Sequence, residues 1–241
     1  ETPLQFLTKH LGSTFNIDLA RIFISSQFVF WDGDDNSRKI LSAFQSVLYP
    51  QDLHPLINLP KAFIDGWNEW EKVTMLADLF NSNQMNMEVF CVLNSEYHTQ
   101  NEIMRLHNDA NSHNINLCIW QKKEIENYAI HHNSIFRYIL NNKLKGIITE
   151  EKLDDVMHGI AKDMKDDLIK FSIEKSENSM SDIFQENDNS YDIISGKEFF
   201  NILSIWTQEE FDITISARQV IPYFQREEVP SEIRDVINTI M

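Results

Sequence analysis

Three short apolar runs constrain this chain more than any other feature: QFVFW (27–31), MEVFCVLN (87–94) and INLCIW (115–120). Each is nearly continuous rather than alternating, which is the pattern of a strand covered on both faces. Between them lie segments with apolar residues at helical spacing. Ile40, Leu41, Phe44, Val47 and Leu48 fall within 37–48, and Trp67, Trp70, Val73, Leu76, Ala77 and Phe80 within 67–80. A third helix is expected over 100–112, and a weaker strand candidate, HPLINL (54–59), separates the first two. Strand and helix alternating in this order predict an α/β fold, a parallel four-stranded sheet with crossover helices.

The pattern changes after about residue 130. Helical stripes cover 132–143 (Ile135, Ile139, Leu140) and 150–171 (Leu153, Val156, Ile160, Met164, Leu168). A polar stretch poor in core formers, 172–192, reads as a loop or linker. GKEFFNILSIW, ISARQVIPYF and PSEIRDVINTI then read as three short helices. The expected organisation is a helical lead-in over 1–25, an α/β domain over 26–130 and an α-helical C-terminal region over 131–241.

In open parallel sheets, functional groups collect beyond the carboxyl ends of the strands. That rule selects Asp32-Gly33-Asp34-Asp35-Asn36, Asn94-Ser95-Glu96 and the QKKEIENY that follows Trp120. Two-metal phosphoryl chemistry needs clustered carboxylates, because Mg²⁺ prefers hard oxygen ligands. Asp32, Asp34, Asp35, Glu96, Glu124 and Glu126 are the candidates, although acids in such loops more often serve as solvated caps.

Charge limits the partners. The 241 residues carry 37 acidic against 21 basic side chains, a formal charge of −16. Such a surface repels phosphate backbones, so nucleic acid is expected only indirectly or weakly. The chain lacks a GxxxxGK[ST] phosphate loop, a GxGxxG and a Ser-His-Asp order. His131-His132 reads as a surface pair rather than a metal site, and Trp67, Trp70 and Trp120 read as core. Cys91 and Cys118 sit inside apolar runs and are expected as free thiols, which fits a reducing cytoplasm. No segment reaches the ~20 apolar residues of a membrane span, and the N-terminus is not signal-like. The chain opens without Met, as a fragment of a longer protein would.

Several stretches also carry a family resemblance. ARIFISSQFVFWDGDDNSRKIL resembles the start of a Toprim domain, whose first strand ends in Glu-Gly, and FCVLNSEYHTQNEI is similar to that family's Asp-x-Asp strand. IWQKKEIENYAI looks like the KEIENY stretch of Toprim-bearing ATPases of the overcoming-lysogenization-defect (OLD) type and their Septu-like relatives. SGKEFFNIL and VPSEIRDVI resemble the helical tail of the same proteins, so the likeness runs from about 18 to 241. The order of these motifs is more specific than any one of them.

The resemblance implies a Toprim-like region following an N-terminal ABC-type ATPase that carries its own phosphate loop. Such proteins act in bacterial antiphage defence, some with a retron or a separate HNH nuclease, and their Toprim site uses Mg²⁺ or Mn²⁺. A homodimer or higher oligomer is implied with it. The metal positions fall on Asp32, Asp35, Asn94, Glu96, Glu124 and Glu126, with Asp32, Glu96 and Glu126 as the catalytic set of an active enzyme.

The match departs from the family where the chemistry would sit. Asp32 stands for the Glu, Asn36 falls where a second acid is expected, and Asn94 replaces the first Asp of Asp-x-Asp. An Asn offers one neutral oxygen where a cation wants an anion. The leading expectation is therefore a degenerate site kept as an interaction platform with no cofactor. The alternative is an active Mg- or Mn-dependent nuclease.

Overall fold

The computed structural model describes residues 25–52, 54–82, 87–95, 98–174 and 190–241. Residues 1–24 of the predicted lead-in over 1–25, most of the predicted linker (175–189) and the pair 96–97, Glu96 among them, lie outside the described residues.

Four parallel strands form one sheet: Gln27–Asp32 (β1), Lys61–Ile64 (β2), Glu88–Leu93 (β3) and Ile115–Ile119 (β4). Their spatial order is β2-β1-β3-β4. Helices Asp35–Leu48 (α1), Trp70–Ser82 (α2) and Gln100–Ser112 (α3) connect them in turn. The helical remainder comprises His132–Asn142 (α4), Glu150–Glu174 (α5), Ser190–Ile193 (α6), Gly196–Phe211 (α7), Ala217–Val220 (α8) and Ser231–Ile240 (α9). The fold is thus α/β, as the apolar runs predicted, followed by a helical region.

One expected strand is corrected. HPLINL does not pair in the sheet; Leu56–Asn58 forms a single 3₁₀ turn that buries Leu56 under the core. The strand lies just beyond, at KAFI, where only Ala62 and Ile64 are buried. A four-residue edge strand that buries alternate residues gives too short an apolar signal to stand out. Pro55 and Pro60 bracket the apolar residues upstream and keep them out of a ladder.

Strand periodicity divides the core between the two sheet faces. Val29, Trp31, Phe90 and Val92 pack with Ile40, Leu41 and Phe44 of α1 and with the C-terminal helices. Phe28, Phe30, Val89, Cys91 and Leu93 pack on the other face with Val73, Leu76, Ala77 and Phe80 of α2. The first cluster runs from α1 through Ile125, Tyr128 and Ala129 into Ile135, Phe199, Ile233 and Ile237, with no break near residue 130.

This division also settles the thiols. Cys91 and Cys118 are both free, Cys91 packed with the α2 face and Cys118 against the α1 face. Two cysteines on opposite faces of a sheet cannot bridge. Burial pushes both thiols up, Cys118 to about 11. Trp120 is fully in the core, while Trp67 and Trp70 are only half-buried against the α2 face. No helix among the described residues is long and apolar enough to cross a membrane.

Candidate functional site

The strand order places the carboxyl ends of β1 and β3 side by side, so residues 62 positions apart meet. Gly33 takes φ +81°, a backbone region open to glycine, and lets the chain turn sharply from β1 into α1. Asp34 then caps α1 by accepting from the Asn36 amide at 2.7 Å.

Asp32, 7% exposed, does not face solvent. Its Oδ1 accepts from the Gly66 amide at 3.1 Å and its Oδ2 from the Asn94 amide at 2.9 Å. Burial raises its carboxyl above the usual value, although these two amides pull in the opposite direction. Asp32 thus ties the ends of β1, β2 and β3 together.

The polar stop Asn94-Ser95 completes this tie. Trp67 Nε1 donates to the Asn94 carbonyl at 3.0 Å, with the Trp67 ring stacked on His98 at 3.7 Å. Ser95 Oγ donates to the Lys122 carbonyl at 3.1 Å, which reaches the turn beyond β4. The abrupt end of the MEVFCVLN run is a junction between strand ends.

Asp35 points elsewhere. It pairs with Arg38 and, at 2.7 Å, with Lys39. Partial burial works against its charge, but Lys39 and Arg38 together outweigh it and hold the carboxyl below its usual value.

In KEIENY, Ile125–Ala129 forms a buried 3₁₀ turn with Glu124 at its N-cap. Glu126 is 7% exposed and accepts from Asn36 Nδ2 at 2.8 Å. Its carboxyl is raised, first by burial and then by the charge of Glu124, while Lys197 favours the ionised form. Asn127 is fully buried and donates to the carbonyls of Tyr191 (2.7 Å) and Ile194 (2.9 Å). Its Oδ1 accepts from the Glu124 amide at 3.1 Å, so one side chain staples this turn to α6. Tyr128 donates to Glu232 of α9, whose other oxygen accepts from the Gln121 amide at 2.8 Å.

Gly196 opens α7 against this turn. A Cβ there would lie 2.6 Å from the Asn127 nitrogen and 2.8 Å from Glu126 Cβ, so only glycine fits. The contact that demands this glycine lies about 70 residues away in sequence.

The sequence-selected residues therefore separate into pairs. Asp32 meets Asn94, Glu126 meets Asn36, and Asp35 turns to its own helix. Among the described residues no three His, Cys, Asp or Glu side chains come together to hold a metal ion. His131 accompanies Ser134 at 2.9 Å and burial lowers its pKa, while His132 begins α4. Residues that motif reading passed over, Gly66, Asn127, Lys197 and Glu232, hold or face the site. The Ser-Gly at the start of α7 was the one local signal, since a capped helix start with glycine marks close packing.

No family model and no curated protein matches this chain. Among solved structures it is similar to the C-terminal region of the Xanthomonas campestris pv. campestris OLD protein. The identity is 15%, covering 90% of this chain and 95% of that one, with a TM-score of 0.34.

Proposed function

We propose that this chain is a Toprim-like region of a bacterial antiphage-defence ATPase, with the site retained in shape but not in metal chemistry. It serves as an interaction platform for assembly of the ATPase or for a nuclease or retron partner. The family part of this reading rests on the order of motifs from DGDD through NSE to KEIENY. The loss of chemistry rests on one observation: each oxygen of Asp32 accepts from a backbone amide, one from Gly66 and one from Asn94.

The described residues do not fit a pair of divalent cations. A metal ligand needs a free anionic oxygen, and two cations need several. A cation would compete for Asp32 with the two backbone amides its oxygens accept from, Asp35 is paired with Arg38 and Lys39, and Asn94 brings no charge. Glu126 accepts from a neutral amide in a buried setting that disfavours its charge. In this reading the acids hold strand ends and turns together. The −16 charge suits a basic protein surface better than DNA. An upstream ABC-type ATPase domain, a homo-oligomer and a cytoplasmic location belong to the same proposal.

The alternative is an active Mg- or Mn-dependent nuclease. Glu126, Asp34 and Asn36 line one cleft, which is the observation that favours it. Titrating the purified chain with Mn²⁺ by calorimetry and assaying plasmid cleavage separates the two. The platform reading expects no saturable metal binding and no cleavage. Cleavage abolished in an Asp32→Ala, Glu96→Ala double variant would overturn it.

A further inference from the structure

The cleft beside Glu126 has a lining that the metal question leaves unexplained. It encloses about 570 Å³, within the ~300–1,000 Å³ of small-molecule sites. Asp34, Asn36 and Glu126 come from the sheet side, and Lys197, Asn201, Ser216, Arg218 and Gln219 come from α7 and the start of α8. The two walls thus differ in character. One presents carboxylates and the other presents nitrogen donors.

The donor wall carries two basic side chains, Lys197 and Arg218. Bases are outnumbered 21 to 37, and Arg38, Lys39, Lys72, Arg137 and Lys152 each pair with a carboxylate. Lys197 and Arg218 form no ion pair among the described residues, although both face the same cleft and Lys197 senses the Glu126 charge. Ser216 Oγ donates to Gln219 Oε1 at 2.8 Å, which occupies the amide oxygen and leaves the amide nitrogen as a donor. An ammonium, a guanidinium and a side-chain amide therefore line one wall of the cleft, where they can donate to anionic oxygen. Arg218 adds a planar fork that matches a phosphate edge.

We infer that this cleft binds a small hydroxylated phosphate monoester, such as a sugar phosphate, without a metal ion. The phosphate sits against Lys197 and Arg218, and the hydroxyl groups donate to the carboxylates of the opposite wall. This deepens the degenerate-site reading and rests on it, because a metal-loaded site would bring phosphate to the carboxylate wall instead. A bare anion would gain the donor wall only. A neutral sugar would gain the carboxylate wall only.

Calorimetric titration of the whole chain in excess EDTA tests the inference, with ribose 5-phosphate, inorganic phosphate and ribose as probes. Ribose 5-phosphate is expected to bind at least tenfold tighter than inorganic phosphate, and ribose not measurably. Arg218→Gln and Lys197→Gln, both on exposed side chains, should each weaken ribose 5-phosphate at least tenfold with the melting temperature unchanged. Equal affinity for the three probes, or unchanged affinity in both variants, would overturn the site. No binding with or without Mn²⁺ would overturn this inference and leave the platform reading standing. Binding only with Mn²⁺ would overturn both.

Discussion

Replacing Asp32 by alanine separates a structural carboxylate from a metal ligand. Asp32 is 7% exposed, and its two oxygens take the amides of Gly66 and Asn94 at 3.1 and 2.9 Å. Alanine leaves both N–H groups without an acceptor, at about 1–3 kcal/mol each. Removing a carboxylate whose burial already disfavours its charge offsets part of this. The expected net loss is about 2–4 kcal/mol, or roughly 4–16 °C in melting temperature for a chain of this size. Asp32→Asn keeps one acceptor oxygen and should lose about 1–2 kcal/mol. Urea unfolding followed by far-ultraviolet circular dichroism measures both, with an unchanged slope confirming that stability rather than compactness has altered. A metal ligand behaves in the opposite way. Without metal its removal relieves a buried charge, so Asp32→Ala would be as stable as wild type or more so, and Mn²⁺ would stabilise only the wild type. That outcome would refute the argument from the two amides.

Two further perturbations address the turn under α7. Gly196→Ala places a Cβ within 2.6–2.8 Å of the Glu126–Asn127 backbone, so overpacking should lower stability by about 1–3 kcal/mol, measured by the same unfolding assay. Glu126 is raised by burial and by Glu124, so the folded state holds its proton more tightly than the unfolded chain. Its stabilising contribution is then fullest at acid pH and declines as pH rises from the ordinary Glu value through the raised one. Glu126→Gln removes this dependence, so as pH rises above the ordinary Glu value urea midpoints should fall less steeply than in wild type. A steeper fall would show that the carboxyl is lowered rather than raised.

The unbroken apolar runs of β1, β3 and β4 and the helical stripes of α1, α2 and α5 determined a doubly covered parallel sheet with a helical remainder. Such signals are local, since strand and helix periods are written in neighbouring residues. β2 escaped because its four residues, KAFI, bury only Ala62 and Ile64, and the apolar HPLINL beside it went into a turn. Which acids could act together was not local at all. Sequence selected Asp32, Asn94, Asn36 and Glu126 by their places after strands. Only the order β2-β1-β3-β4 joined Asp32 to Asn94, and only the folding of the KEIENY turn against α1 joined Asn36 to Glu126. The charge state of a carboxylate follows its burial and its partners, and for Asp32 and Glu126 the hydrogen-bond donors lie 34 to 90 residues away. The acids were therefore visible in the sequence, and the packing decided that they are tied to backbone and amides.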